Sequence, residues 1–414
     1  MKIIKTGATE CFDDLPIEIN WAPTSKCNYR CSYCFIYGKG KTPPPQLPFS
    51  TLDQLKIAVD NIASLNRPFY NVVFSGGEPT IHPHIFDLVS MLYDSLGQRL
   101  NHILIITNGS RNKNLYDKVA DISKSVSISL NISIHTDHVE IPHILELIEN
   151  LSSNVIMNFT IMFNPDKREL VRDIYETMLE YRKKFYFNIG VAMIRDGDRV
   201  DPRYIPKDFE WQKEFNERIT ALLKSVNVLP TQRKASYRPF NIFTDVNDNG
   251  EQKTLKKVNY SFKYTNGLIN FKGMHCMAYA SLLHISSDGS FNGMVCSDDR
   301  AIGNIFEKNS IMKFREKLIR PIRCTRAICG CSSNYIIPKF ASEEEAKKYV
   351  AFAQKRQSQL FAEYELAQNK KQSAPPTAHE YYDPNLYKAY LNSIKNPLAD
   401  ISLDSLRNSF PVVI

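Results

Sequence analysis

Three cysteines lie close together near the N-terminus, in the segment Cys27-Asn-Tyr-Arg-Cys31-Ser-Tyr-Cys34. This spacing can place three thiolates on a four-iron cluster and leave the fourth iron open for a ligand. A structural zinc ion would normally take four protein ligands, and no fourth cysteine or histidine is close in sequence. Because a distant residue could complete a zinc site, the spacing alone leaves both metals open.

A second chemical motif, Gly76-Gly77-Glu78-Pro79, follows the next β-rich segment of the chain. Glycines allow the backbone to approach a ligand closely. The Glu78 carboxylate and the neighbouring carbonyl groups can accept hydrogen bonds from an ammonium group. Such a sequence alone is usually an ordinary strand-to-helix turn, but its position after the cysteine segment favours a binding role.

The two motifs together resemble the radical S-adenosylmethionine (SAM) superfamily. The resemblance implies that Cys27, Cys31 and Cys34 bind a [4Fe–4S] cluster whose open iron holds SAM. One electron would cleave SAM to methionine and a 5′-deoxyadenosyl radical, which abstracts a hydrogen atom from the substrate. The SAM-binding candidates that the resemblance implies are Tyr33, Gly76, Gly77, Glu78, Pro79, Asn108 and Ser133.

Five further cysteines form a second group near the C-terminal end: Cys276, Cys296, Cys324, Cys329 and Cys331. The first two flank a predicted hairpin with a turn at Ser287-Asp288-Gly289. The arrangement resembles the twitch or SPASM extensions of some radical SAM enzymes, which implies one auxiliary [4Fe–4S] cluster. Its expected ligands are Cys276 and Cys296 with at least two of the three later cysteines. A zinc-stapled hairpin is the alternative.

Strand-like and helix-like segments alternate through the first half of the chain. The predicted strands are residues 18–24, 71–75, 102–107, 129–135, 155–163 and 187–194. The first predicted helix begins at Ser50. The others cover about 84–97, 112–122, 139–152, 167–184 and 207–225. Six such units predict a parallel sheet covered by helices, in an open, partial (β/α)6 barrel.

The pattern changes beyond residue 225 and predicts four regions in all. We expect a lead-in over 1–15, the partial barrel over 16–225, a cysteine-bearing auxiliary region over 226–340 and a helical tail over 341–414. In the auxiliary region, segments 258–264, 281–287 and 290–295 are predicted strands, and a helix is expected near 309–319. A long helix should begin at Ser342, with Glu345 completing a capping box.

The bulk properties narrow the range of functions. The chain has 414 residues, a hydrophobic fraction of 43% and a net charge of +8. Its lysines and arginines are scattered, which does not indicate nucleic-acid binding. No apolar stretch has the length of a membrane span, and the N-terminus lacks the apolar run of a signal peptide. We therefore expect a cytoplasmic location and no membrane partner.

The expected activity is a radical oxidation or bond formation on a peptide, a protein side chain or a sugar-like small molecule. The enzyme would need a reducing electron donor such as flavodoxin or ferredoxin. A non-catalytic protein that uses zinc only as a structural staple is the alternative. Such a protein would be colourless and would leave SAM intact.

Overall fold

A computed structural model shows how these segments are arranged. The structure describes residues 2–6, 17–34, 36–38, 42, 46–152, 155–196, 199–225, 242–246, 252–256, 271–293, 301–325 and 337–371. The predicted strand at 258–264 lies outside these residues, as do Cys11, Cys296, Cys329 and Cys331. Within the predicted tail, only residues up to 371 are described.

Six parallel strands form the centre of the fold, as the sequence predicts. They are β2 (Ile17–Thr24), β3 (Tyr70–Gly76), β4 (Leu100–Thr107), β5 (Ile128–His135), β6 (Ile156–Phe163) and β7 (Asn188–Met193). Each pairs with the next strand along the chain. The prediction of an α/β partial barrel is therefore confirmed, and within the described residues the sheet does not close into a barrel.

Helices follow the strands and cover one side of the sheet. They are α1 (Leu52–Ser64), α2 (Ile85–Leu96), α3 (Lys113–Ser123), α4 (Ile141–Leu151), α5 (Arg168–Arg182) and α6 (Pro206–Ser225). The start of α1 differs by one residue from the expected one. Thr51, not Ser50, is the N-cap, and Gln54 completes a capping box, because the Gln54 side chain accepts the Thr51 N–H.

The predicted hairpin after Cys276 extends this same sheet. It consists of β13 (Leu282–Ile285) and β14 (Ser290–Asn292), followed by β15 (Gly303–Asn304). Strand β13 pairs in parallel with β2, so the nine strands run in the order β15-β14-β13-β2-β3-β4-β5-β6-β7. Gly289 has a φ of +81° in the hairpin turn, which favours glycine. The auxiliary region and the barrel thus share one sheet, although the proposed domain boundaries stay predictions.

The other described elements surround this sheet. The short strands are β1 (Lys2–Thr6), β8 (Arg195–Asp196), β9 (Arg199–Val200), β10 (Ile242–Val246), β11 (Gln252–Lys256), β12 (His275–Cys276), β16 (Ile322–Arg323) and β17 (Lys339–Phe340). They form a six-stranded sheet in the order β11-β10-β1-β17-β12-β16 and a two-stranded ribbon β8-β9. The remaining helices are α7 (Ala278–Ser281), α8 (Ser310–Lys313) and α9 (Glu343–Lys371).

The long helix α9 packs against the barrel rather than extending away from it. Gln357 Nε2 donates to the carbonyl of Leu65, and the Asn66 side chain donates to the carbonyl of Leu360. The helix expected near 309–319 is shorter, because α8 gives way to a 3-10 turn at Arg315–Lys317. No helix within the described ranges is both long and apolar enough to cross a membrane.

The two faces of the barrel sheet differ in chemistry. Side chains alternate between faces along a strand, and those on the helix-covered face, such as Ile19 and Phe74, are fully buried in the main core. We call the opposite side the inner face. It includes Glu18, Asn20, Asn71, Val73, His102, Leu104, Ser129, Asn131, Ser133, His135, Asn158, Thr160, Asn188 and His284. Most of these are polar, and many are only partly buried.

Candidate functional site

The cysteine loop and the glycine motif meet at the carboxyl edge of the sheet. Strand β2 ends at Thr24 and leads into the cysteines, while the neighbouring strand β3 ends at Gly76. The Gly77 N–H donates to the Thr24 carbonyl over 3.0 Å, and the Glu78 N–H donates to the Lys26 carbonyl over 2.8 Å. The two motifs therefore form one backbone-bonded unit, as adjacent parallel strands allow.

The close approach of these two segments explains the paired glycines. A Cβ at Gly77 would stand 2.0 Å from the Lys26 carbonyl oxygen, and one at Gly76 would stand 2.6 Å from the Thr24 carbonyl oxygen. Gly76 also has a φ of +113°, which other residues rarely adopt. From the sequence, the expected reason for these glycines was close approach of the backbone to a ligand. The structure adds another reason, which is contact with the segment that leads to Cys27.

The Glu78 carboxylate holds the next strand to this unit. Its Oε1 accepts hydrogen bonds from the Thr80 N–H, the Thr80 hydroxyl and the Thr107 hydroxyl over 3.0, 2.6 and 2.7 Å. Its Oε2 accepts the Asn108 N–H over 2.6 Å. Burial raises the pKa of Glu78, and these hydrogen bonds act in the opposite direction. The carboxylate thus ties the end of β4 to the glycine turn, a role that the sequence did not reveal.

Asn108 continues the connection into the cysteine loop. Its Nδ2 donates to Asn28 Oδ1 over 2.9 Å, and its Oδ1 accepts the Ser110 N–H over 3.0 Å. The Asn28 amide in turn donates to the Ser110 hydroxyl. Asn28 lies between Cys27 and Cys31, so the turn after β4 helps to fix the conformation of the cysteine segment.

The end of β5 contacts the other side of the same loop. The Tyr33 hydroxyl lies 3.0 Å from His135 Nδ1, and the two rings stack at 5.9 Å between centroids. Asp137 Oδ2 accepts both the N–H and the hydroxyl of Ser32. Although burial acts to raise it, the pKa of Asp137 is held below its ordinary value by hydrogen bonds from Ser32 and Lys167. Three successive strand ends thus position one loop.

The three thiols lie close enough together to affect each other. Burial raises the pKa of Cys31 to about 12, with further contributions from Asp137 and the other two thiols. Burial also raises the pKa of Cys27, and Glu78 and Cys34 add to this shift. The Sγ atoms of Cys27 and Cys34 each accept a backbone N–H over 3.4 Å. Three thiolates here require a cationic partner, as a metal cluster supplies.

Among the described residues, no three Cys, His, Asp or Glu side chains are already arranged to hold a metal ion. Ligation therefore requires the three cysteine side chains to turn toward one point. Thiolates are the ligands that iron–sulfur clusters use. The donor set thus fits a [4Fe–4S] cluster with one open iron.

The remaining predicted site residues lie nearby or on the inner face. Pro79 is buried at the start of a 3-10 turn that follows Glu78. Ser133 is on the inner face of β5, two residues before His135, in register with Thr160 of β6. The structure brings Cys27, Cys31, Cys34, Tyr33, Gly76, Gly77, Glu78, Pro79 and Asn108 to one edge of the sheet. Ser133 approaches that edge from below.

Two members of the second cysteine group lie on neighbouring antiparallel segments. Cys276 in β12 pairs with Ile322, and the Cys324 N–H donates to the Met274 carbonyl just beyond the pairing. This register puts Cys276 and Cys324 diagonally on one face, at a separation of about 7–8 Å for such pairs. The other three predicted ligands lie outside the described residues.

Comparison with known proteins supports the assignment of this edge. The family model of the radical SAM superfamily matches residues 21–160, which include the cysteine loop, the glycine motif and strands β3 to β5. These residues form a radical SAM domain. The match confirms the resemblance drawn from the cysteine and glycine motifs, and a radical SAM domain implies a [4Fe–4S] cluster and SAM as cofactors.

Curated relatives match the radical SAM domain over short stretches. A GTP 3′,8-cyclase of Synechococcus elongatus is 31% identical over 112 residues, which are 27% of this chain and 32% of that protein. An S-adenosylmethionine-dependent nucleotide dehydratase of Selenomonas ruminantium is 36% identical over 93 residues, 22% of this chain and 30% of that protein. The chain thus spans about a third of the length of each.

Solved structures are similar to the chain over a larger part. Native anSMEcpe with bound AdoMet is 15% identical, with a TM-score of 0.47, and the alignment covers 84% of this chain and 100% of that one. Streptococcus suis SuiB is 14% identical, with a TM-score of 0.44, over 73% of this chain and 66% of that one.

The four hydrogen bonds to Glu78 lead to a first prediction. Glu78→Gln should lower the free energy of unfolding by about 2–3 kcal/mol. The amide nitrogen of glutamine cannot accept a hydrogen bond, so at least one donor that now bonds to the carboxylate would be left without a partner. SAM affinity should fall as well, since the turn positions the loop. Thermal unfolding and equilibrium SAM binding of the anaerobically purified protein measure the two effects.

The matched control for this prediction is Glu146→Gln on helix α4, where the carboxylate is exposed. Its unfolding free energy and SAM affinity should equal those of the wild type. If Glu78→Gln were as stable as this control, the anchoring role of the carboxylate would be wrong.

Proposed function

We propose that the chain is a radical SAM enzyme that cleaves SAM reductively and uses the resulting radical to abstract a hydrogen atom from a substrate. The observation that carries this proposal is the joining of the C-x3-C-x2-C loop to the Gly-Gly-Glu turn by two backbone hydrogen bonds. When bound, the cluster and SAM together supply the 5′-deoxyadenosyl radical. The direct test is formation of 5′-deoxyadenosine by anaerobically reconstituted protein with dithionite and SAM; a colourless, zinc-containing protein that leaves SAM intact would contradict it.

The residues of this chain would bind and orient the cofactors. Cys27, Cys31 and Cys34 would hold three irons, and their loop is fixed by Asn28 and Ser32 contacts to neighbouring strand ends. The backbone carbonyls of the Gly76–Pro79 turn would accept the methionyl ammonium of SAM, and Glu78 would add its Oε2, which accepts only the Asn108 N–H among the described residues. The turn has few rotatable side chains and is bonded on both sides, so it is preorganised for such a ligand.

Tyr33, Asn108 and Ser133 would complete the SAM site. Tyr33 is held against His135, which orients its ring at the edge of the inner face. Asn108 would act mainly by positioning the cysteine loop, because both ends of its amide are engaged in the structure. Ser133 is half-buried and would meet the SAM ribose or carboxylate from the inner face.

We further propose one auxiliary [4Fe–4S] cluster held by the second cysteine group. The diagonal placement of Cys276 and Cys324 on adjacent segments supports it. Cys296 and one or both of Cys329 and Cys331 would supply the remaining ligands. A cluster with four protein ligands has no open iron, so its role would be to accept an electron from the substrate radical. The net reaction would then be a two-electron oxidation or the formation of a new bond.

Removal of the auxiliary site alone tests this role. In a Cys276→Ala/Cys296→Ala variant, we expect iron to fall by about four atoms per chain. Reductive SAM cleavage should continue, while oxidised product should be lost. Iron and sulfide analysis measures the first effect, and chromatographic assay of 5′-deoxyadenosine and product measures the others.

Two results would contradict the auxiliary cluster. Unchanged iron content in the double variant would leave the second group without a cluster. If the double variant instead lost one zinc ion per chain that the wild type contains, and no iron, the group would be a zinc-stapled hairpin.

The substrate would be a peptide, a protein side chain or a sugar-like small molecule, and a flavodoxin or ferredoxin would supply the electron. The regions 1–15, 16–225, 226–340 and 341–414 would be the lead-in, barrel, auxiliary region and tail of a cytoplasmic enzyme. Reduction of the chain by purified flavodoxin, followed by SAM cleavage, tests the electron donor.

A further inference from the structure

Two polar side chains on the inner face have buried atoms without hydrogen-bond partners in the described part of the chain. Asn20 on β2 is 7% exposed, and its Oδ1 accepts no hydrogen bond from a described residue. His284 on β13 is half-buried, and its Nδ1 likewise has no partner there. The pairing of β13 with β2 puts these two residues directly beside each other. Residues in register on neighbouring strands project to the same face of a sheet.

Such an arrangement is unfavourable in the folded protein alone. A buried polar atom without a partner destabilises the fold, and most buried polar atoms are therefore paired. Helix-facing positions of β2 are apolar by contrast, since Ile17 and Ile19 are buried in the core and have no polar side-chain atom to satisfy. Two adjacent unpaired atoms at the seam of β2 and β13 therefore indicate a ligand that supplies the missing hydrogen bonds.

The charge of the inner face restricts what this ligand can be. The nine described strands of the barrel sheet contain no lysine or arginine, and their one acidic side chain, Glu18, is buried two residues before Asn20 and disfavours an anionic ligand. Burial lowers the pKa of His284, which leaves its imidazole neutral near pH 7. At the rim, Lys167 and Arg168 are paired with Asp137 and Asp208. Phosphate groups are normally bound by arginine, lysine or a helix N-terminus.

The available groups instead suit an uncharged partner. Besides Asn20 and His284, the inner face presents amides at Asn158 and Asn188, which are bonded to each other over 2.7 Å, and a hydroxyl at Ser133. Amides, hydroxyls and neutral imidazole each donate or accept hydrogen bonds without net charge. They match the hydroxyl or amide groups of a neutral molecule.

We propose that Asn20 and His284 form a subsite that binds an uncharged hydroxyl or amide group of the substrate, so that the substrate is a neutral polar molecule rather than a nucleotide. This inference rests on the proposed function and specifies the substrate class of the same enzyme. The subsite lies on the inner face below the cysteine loop, because β2 runs from Asn20 toward Thr24 and then to Cys27. The substrate would thus extend from the seam toward the SAM site.

The experiment uses the full, anaerobically reconstituted chain and three probes. They are myo-inositol as a neutral polyol, N-acetylglycine N-methylamide as a neutral amide, and GTP as a nucleotide. Binding is measured by saturation-transfer NMR to the wild type, to Asn20→Leu, to His284→Phe and to the double variant. His84→Phe is the control, because His84 is outside the barrel sheet and pairs with Asp87 on helix α2.

We expect at least one neutral probe to bind the wild type and the control. Its affinity should fall about tenfold or more in the double variant, since two hydrogen bonds are lost. Binding of the polyol would indicate a sugar-like substrate, and binding of the amide a peptide. The melting temperature of Asn20→Leu should stay constant or rise, because a purely structural residue would lower it when replaced.

Three results would overturn the subsite. They are binding of neither neutral probe, equal binding to wild type and double variant, and GTP binding that the double variant loses. A lower melting temperature in both single variants would assign the two residues to folding instead. Formation of 5′-deoxyadenosine in the absence of substrate tests the proposed function separately. That activity should persist in every variant, and its absence from the wild type would contradict the enzyme assignment rather than the subsite.

Discussion

Replacing Cys27, Cys31 and Cys34 together by alanine is expected to abolish SAM cleavage and to remove about four of about eight iron atoms per chain. The physical reason is that the three thiols are the donors of this loop suited to iron, and burial raises the pKa of Cys27 and Cys31, which disfavours their thiolate forms unless a cluster is present. The histidines beside the loop are poor substitutes, since His135 and His138 are engaged with Tyr33 and the Arg30 N–H.

The measurement is iron and sulfide content together with 5′-deoxyadenosine formation after reduction. Cys11→Ala serves as the control, because Cys11 belongs to neither cysteine group, and it should retain all of the iron and activity. Retention of all the iron in the triple variant would show that the first cluster is assigned to the wrong residues. Wild-type protein with about four irons, all lost in the variant, would leave the second site empty or occupied by zinc.

A second large effect is expected from a single methyl group at Gly77. In Gly77→Ala, the new Cβ would stand 2.0 Å from the Lys26 carbonyl oxygen and 2.6 Å from that of Ser25. Both contacts are with backbone, so the turn and the cysteine loop must move apart. The hydrogen bonds from Gly77 to Thr24 and from Glu78 to Lys26 would be lost. We expect the free energy of unfolding to fall by about 3–5 kcal/mol.

The cluster should be retained poorly in the same variant, because the loop that holds it loses its support. Gly97→Ala is the matched control. Gly97 has a φ of +55° and a ψ of −132°, a conformation that other residues rarely adopt, and a Cβ there meets no described atom within 4 Å, so this variant carries backbone strain of about 1–3 kcal/mol without a clash. Denaturant unfolding and iron content compare the two. Equal stability of both variants would show that the close packing at Gly77 does not matter.

The order of elements in the barrel could be predicted from the sequence. Strands such as β4 and β6 are rich in isoleucine and other apolar residues, with polar residues such as Asn158 and Thr160 at alternate positions, and the helices between them carry apolar residues at helical spacing. Both patterns lie within short stretches of sequence, so they can be recognised without knowledge of the fold. The ends of elements are harder to place, as the N-cap at Thr51 illustrates, because neighbouring Ser50 and Thr51 are both suitable caps.

The chemistry of the site could also be inferred from the chain alone. Cysteine spacing and the Gly-Gly-Glu sequence lie within short segments, and thiolates select iron or zinc through their own properties. What these segments do to each other could not be inferred. The donors to Glu78 from the end of β4, and the contact of Gly77 with Lys26, join residues far apart in sequence.

Only the tertiary structure decided where the auxiliary hairpin belongs. Its sequence predicts two short strands and a turn, which would suit a separate small domain equally well. The pairing of β13 with β2 instead joins Leu282–Ile285 to strand residues near the start of the chain, and no local signal encodes such a partner. That pairing alone places His284 beside Asn20. The sequence by itself thus determined the elements and the kind of cofactor chemistry, whereas long-range strand pairing determined which polar groups share the inner face.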